Sequence, residues 1–137
     1  MLNLIVLLLA ISKGLIGWSQ LSDVKLKWKY EKQFGQQIQV PVFGEKLRAL
    51  EGKAFVVSGY YIPAELDKNS IILSKLPYAS CFFCGGAGID SVIEIQFAKK
   101  LRRFKLDEIV KVSGTLHLND SDYDHMIFIL TNAKEVE

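Results

Sequence analysis

From residue 53 onward the sequence carries no helical period. Five runs rich in β-branched and aromatic residues follow one another instead, at Ala54–Ile62, 70–76, 91–97, Ile109–Leu118 and 125–131, each bounded by turn-forming or charged residues. Short apolar runs punctuated in this way predict strands, and no stretch among them is long enough for a buried helix. Gly59 inside the first run marks a bend or bulge, and Pro63 ends it. Between the third and fourth runs, Leu101 and Phe104 sit on a cationic segment, 98–107, whose spacing predicts a helical turn. Five strands with a short helical insert after the third is the order of an OB-type barrel. A small open sandwich would use the same signals. The expected fold class is therefore mostly β: an OB-like five-stranded barrel over 53–137, with a short N-terminal strand and helix before it.

That N-terminal extension, 20–52, reads differently. Val24, Leu26, Trp28 and Tyr30 alternate with Lys25, Lys27 and Lys29, predicting a strand with one buried face and a lysine face that discourages edge pairing. Residues 31–39 are polar and glutamine-rich, which predicts a connecting loop. Phe43, Leu47 and Leu50 then follow a helical spacing, and Gly52 supplies a helix stop.

Residues 1–11 hold one polar side chain, Asn3, in an otherwise apolar run, which continues past Ser12 and Lys13 to Trp18. Gly17 and Ser19 suit the −3 and −1 positions of a signal-peptidase site, so 1–19 is expected to be a signal peptide cut before Gln20. The alternative is a retained N-terminal anchor, although Lys13 interrupts the roughly 20 apolar residues that a span needs. Export to the periplasm or the extracellular space places both cysteines in an oxidising compartment. No stable transmembrane span then remains after cleavage.

Composition narrows the functional classes. The chain has 137 residues, one domain's worth, with 50% hydrophobic and 23% charged side chains and a net charge of +2. That charge is too near neutral to announce nucleic acid as a partner. The 2 cysteines exclude a multi-bridge scaffold and an all-cysteine four-ligand zinc site within one chain.

Residues 78–88, joining the second and third barrel strands, form the most unusual stretch. Tyr78, Ser80, Phe82, Phe83, Gly85 and Gly86 surround Cys81 and Cys84 in a C-x-x-C spacing. Three chemistries fit. A redox dithiol needs a helix N-terminus to stabilise the thiolate, and the glycines after Cys84 disfavour one. A metal half-site fits better, because a tight C-x-x-C turn aims two sulfurs at one zinc or other soft ion. His117 and His125 are the remaining nitrogen donors. A local disulfide or a pair of buried thiols sheltered by Phe82 and Phe83 is the third reading, with the glycines allowing unusual backbone angles.

Other constellations carry less. Asp120, Asp122 and Asp124 are spaced like the start of a calcium loop, but His125 stands where glycine belongs and Thr131 where the bidentate glutamate belongs, so a solvated hairpin turn is expected. Lys99, Lys100, Arg102, Arg103 and Lys105 form the one dense cationic patch, a candidate site for polyanions or nucleic acid, with Tyr60, Tyr61 and Tyr78 available to stack. Glu94 stands on its strand without an obvious partner. No Ser-His-Asp order and no phosphate-binding glycine loop is present, which argues against an enzyme.

The order Leu47-x-x-Leu50-x-Gly52-Lys53, Val56-x-Ser58-Gly59-Tyr60-x-x-Pro63, Ile72-Leu73-Ser74, the Ser80 to Gly86 segment, and Val112-x-Gly114-Thr115-Leu116 resembles a family of exported bacterial proteins of unknown function with an OB-like fold. The likeness covers roughly residues 28–136. It implies an OB-like fold, export and no known enzymatic activity. Relatives often carry a cysteine after the second strand in a short polar or proline-rich context, where this chain has a paired-cysteine, diglycine version. Some are encoded near metal-transport systems, which adds weight to a metal role. The combined expectation is an exported, non-enzymatic binding module with its site at residues 78–88. A metal-handling or thiol-disulfide protein using Cys81 and Cys84, and a polyanion binder, are the alternatives. Another exported or envelope protein is the candidate partner.

Overall fold

The computed structural model describes residues 15–64, 66–80 and 88–137. In chain order its elements are α1 (Trp18–Leu21), β1 (Val24–Glu31), β2 (Gln36–Phe43), α2 (Glu45–Leu50), β3 (Ala54–Ile62), β4 (Ser70–Ser74), β5 (Val92–Phe97), β6 (Ile109–Leu118) and β7 (Phe128–Glu135). Strands β3 to β7 close into a barrel in the order β3-β4-β5-β7-β6, and β6 returns to pair with β3. Strands β5 and β7 run parallel while the other neighbours are antiparallel. A five-stranded barrel with this connectivity is the OB arrangement expected from the order of the runs.

Alternation builds the interior. Phe55, Val57, Ile71, Leu73, Ile93, Ile95, Val110, Val112, Leu116 and Leu130 point inward and share one core. On β7, Asn132 takes a left-handed conformation with φ 49°, and the register against both β5 and β6 slips there. Gly114 lies across from this bulge, where a Cβ would come within 2.7 Å of the Thr131 carbonyl oxygen. The bulge bends β7 around the barrel, and only glycine leaves it room.

The N-terminal extension is part of this core. Trp18, Leu21, Phe43 and Leu47 join the barrel residues, and Leu21 and Leu47 are fully buried. Each such leucine contributes roughly 2–3 kcal/mol. The ring of Phe43 meets that of Phe128 at 5.9 Å. Asp23 fixes α2 from outside the helix: its Oδ2 accepts the backbone N–H groups of Lys46 (3.0 Å) and Leu47 (3.3 Å), and Gly44 lies against its carboxylate. An acceptor placed on the first free N–H groups is what a helix N-terminus needs.

The chain just before α1 is also packed. Strand β4 pairs with β3 only at residues 60–62, so the same edge of β3 is open farther back. Ile16 meets it there, its N–H donating to Ser58 Oγ (2.9 Å) and its carbonyl accepting the Ser58 N–H (3.2 Å). The expected cut before Gln20 thus falls inside α1, with residues packed against the barrel on both sides of it.

Four local expectations are corrected. Residues 31–39 are not a loop: the chain turns at 32–35 and returns as β2, whose Gln36 to Gln39 pair with β1 because backbone pairing tolerates glutamine on an exposed ribbon. Strand β1 lacks a buried face, since the two-stranded ribbon leaves the barrel and Leu26, Trp28 and Tyr30 are 42%, 68% and 58% exposed. Residues 98–107 form no helical turn: Phe104 instead packs against Tyr61 and Phe97, at 5.4 and 6.3 Å, as irregular chain. The last strand also starts later than expected, at Phe128 rather than residue 125.

Candidate functional site

Strands β4 and β5 are buried on both faces. Inside lie Ile71, Leu73, Ile93 and Ile95; outside, Ile72 and Val92 form a second apolar cluster with Ile62, Tyr60, Leu66 and Met126. Leu66 belongs to the β3–β4 loop and Met126 to the β6–β7 loop. These two loops flank the face on which OB barrels hold their ligands, and here both fold down onto it.

Between them lies a charged group that the sequence left without a partner. Glu94, paired in register with Ile72 and Ile129, projects from the outer face of β5 and is 1% exposed. A buried carboxylate is tolerated only when its oxygens are satisfied. His125 Nδ1 lies 2.8 Å from Oε2, Gln96 Nε2 donates to the same oxygen at 2.8 Å, and the Met126 N–H donates to Oε1 at 3.3 Å. The acceptor-only carboxylate fixes the imidazole tautomer, with hydrogen on Nδ1. The hydrogen bond to Glu94 is the largest influence on His125 and lifts its pKa above the ordinary imidazole range. Burial opposes this, while Glu94's charge and those of Asp122 and Asp67 reinforce it. His125 Nε2 lies 3.9 Å from Asp122 Oδ2.

A cleft of about 250 Å³ opens over this pair, lined by Leu66, Asp67, Ser70, Glu94, Asp124 and His125. Of these described residues, three are carboxylates and His125 is the one that can carry positive charge. A second groove of about 280 Å³ shares His125 and adds Gln39, Val40, Tyr123 and Ile89. Ile89 follows the cysteine segment, so the C-terminal flank of residues 78–88 borders this groove.

The β6–β7 loop that carries His125 is braced at several points. Asn119 Nδ2 donates to the carbonyls of Asp122 (2.8 Å) and Met126 (3.0 Å), and its Oδ1 accepts the Ser121 and Asp122 N–H groups. This is the solvated turn expected there, organised by an asparagine. The Tyr123 hydroxyl donates to Glu31 Oε2 at 2.7 Å, and the ring packs 5.4 Å from Phe34 at the tip of the β1–β2 ribbon. That hydrogen bond lowers the pKa of Glu31 and raises that of Tyr123.

The other sequence-derived candidates are dispersed. Cys81, Cys84, Phe82, Phe83, Gly85 and Gly86 lie outside the described residues. Tyr78 and Ser80 form a 3₁₀ turn at the end of that segment, with the Tyr78 N–H donating to Asp107 Oδ1 (2.8 Å). Lys99, Lys100 and Arg102 line a separate groove of about 350 Å³ with Phe97, Leu101 and Phe104. Arg102 is held there by Glu135 and Glu108, its Nε and Nη2 each 2.9 Å from a Glu135 oxygen and its guanidinium 4.1 Å from the centre of the Phe104 ring. Two carboxylates therefore offset its charge, while Arg103 is exposed and does not line the groove. His117 is exposed. Among the described residues no group of three or more His, Cys, Asp or Glu side chains could hold a metal ion, and no helix is long and apolar enough to cross a membrane.

Sequence reasoning missed the Glu94–His125 pair. The available signal was Glu94 itself, a lone charge in the middle of an apolar strand, which demands a buried partner. No protein-family model, curated protein or solved structure matches this chain.

Proposed function

We propose that this protein is an exported, non-enzymatic binding module that takes a small cationic ligand in the cleft between the β3–β4 and β6–β7 loops. The observation that carries this reading is the charge of the cleft: Asp67, Glu94 and Asp124 line it together with His125 on the ligand face of an OB barrel. A polyanion would be repelled from such a site, and the offset charge of Arg102 weakens the case for the 99–103 patch. The cysteine segment, whose C-terminal flank meets the adjoining groove, would extend the same surface. The resemblance to exported OB-like proteins supports the compartment and the absence of catalysis.

Because His125 gains a proton as pH falls, it should compete with a cationic ligand for the same carboxylates. Titration calorimetry with spermidine as probe is expected to show binding that strengthens from pH 6 to pH 8. Asp67→Asn and Asp124→Asn should each weaken it several-fold. Binding of heparin with no response to spermidine at low ionic strength would overturn the reading in favour of the polyanion alternative. Bound zinc released on denaturation, with no response to spermidine, would favour the metal-handling alternative instead.

A further inference from the structure

The small residues that resemble a signal-peptidase site, Gly17 and Ser19, flank a tryptophan that the barrel is shaped to receive. Trp18 is 5% exposed, and its indole N–H donates to the Ser58 carbonyl at 2.8 Å. Gly59, next to that carbonyl, leaves space for the ring: a Cβ there would lie 3.0 Å from Trp18 Cζ2 and 2.8 Å from the Ser74 carbonyl oxygen. Gly17 is small for its own packing reason. It has φ 93°, and a Cβ on it would come within 2.8 Å of the Val56 carbonyl oxygen. Ile16 exchanges two hydrogen bonds with Ser58. The Gly17 that suggested a cleavage motif is thus explained by the fold. A cut before Gln20 would take the tryptophan out of the core and leave the Ser58 carbonyl and the space beside Gly59 unfilled, a large penalty for a small barrel.

We propose that residues 15–19 remain in the exported protein as part of its core, so that any cut by leader peptidase falls before them rather than before Gln20. The inference rests on the export reading above.

The test is expression of the full chain in a bacterium, fractionation, and N-terminal sequencing of the exported form. The expected first residue is Leu15 or one that precedes it. A first residue later than Leu15, Gln20 included, overturns the proposal. An uncut chain in the membrane fraction keeps residues 15–19 and supports it, and an uncut chain in the cytoplasm overturns the export on which it rests. Trp18→Ala and Trp18→Phe in the full chain supply an independent readout. The alanine variant should lower the thermal midpoint of the exported protein by more than the phenylalanine variant, and equal midpoints for wild type and Trp18→Ala would overturn retention of residues 15–19 in the fold.

Discussion

Replacing His125 with glutamine tests the Glu94–His125 pair directly. Glutamine keeps a donor for Glu94 but cannot become charged. Glutamine and neutral histidine both donate to the Glu94 carboxylate, so the difference between the two proteins is the added charge of the imidazolium. The His125 side chain is 30% exposed while that of Glu94 is 2% exposed, and for a partly solvated pair that charge is worth about 1 kcal/mol. Its pH dependence has a definite sign. The folded protein raises the pKa of His125, so it binds that proton more tightly than the unfolded chain does. The added stability is fully present below the ordinary imidazole value of about 6.5 and is lost as pH rises through the raised folded value. Urea denaturation of wild type and His125→Gln at pH 6 and pH 8 measures the gap. With a denaturant slope of about 2 kcal/mol/M, the gap in midpoint should narrow by about 0.5 M at the higher pH. A gap of equal size at both values, or one that grows with pH, would refute the argument. Repeating the pair in a Glu94→Gln background should remove most of the pH dependence, because Glu94 is the largest cause and Asp122 and Asp67 supply the remainder.

Two structural predictions accompany it. Gly114→Ala should destabilise the barrel by about 1–3 kcal/mol through overpacking against the Thr131 carbonyl, seen as a lower urea midpoint; an unchanged midpoint would mean that the β7 bulge can shift. Asp23→Ala removes the acceptor for the first N–H groups of α2 and should cost about 1 kcal/mol, read by thermal unfolding, with Asp23→Asn recovering part of the loss.

Five barrel strands were readable because each alternates or runs apolar over strand length between turn residues. Strand β6 matches its expected bounds, Ile109–Leu118, since Val110, Val112, Leu116 and Leu118 face inward on either side of Gly114. Residues 98–107 misled because Leu101 and Phe104 have helical spacing, yet Phe104 packs on Tyr61 and Phe97 and Leu101 packs against the barrel core. Val24, Leu26, Trp28 and Tyr30 misled in the opposite way: the period of two correctly indicates a strand, but not whether anything covers it. The candidate site was the least readable part. Glu94 and His125 are 31 residues apart, and their hydrogen bond exists only because β5 and β7 lie side by side.

The sequence by itself determined the strand-by-strand order of an OB barrel, the short helix before it and the polar turn at 119–124, because these follow from local periodicity and turn chemistry. Only the tertiary structure decided that Trp18 belongs to the core, that the β1–β2 ribbon leaves Leu26, Trp28 and Tyr30 uncovered while its tip meets Tyr123, and that Glu94 finds His125. Those facts depend on which distant surfaces meet, and contacts across a closed barrel leave no periodic trace along the chain.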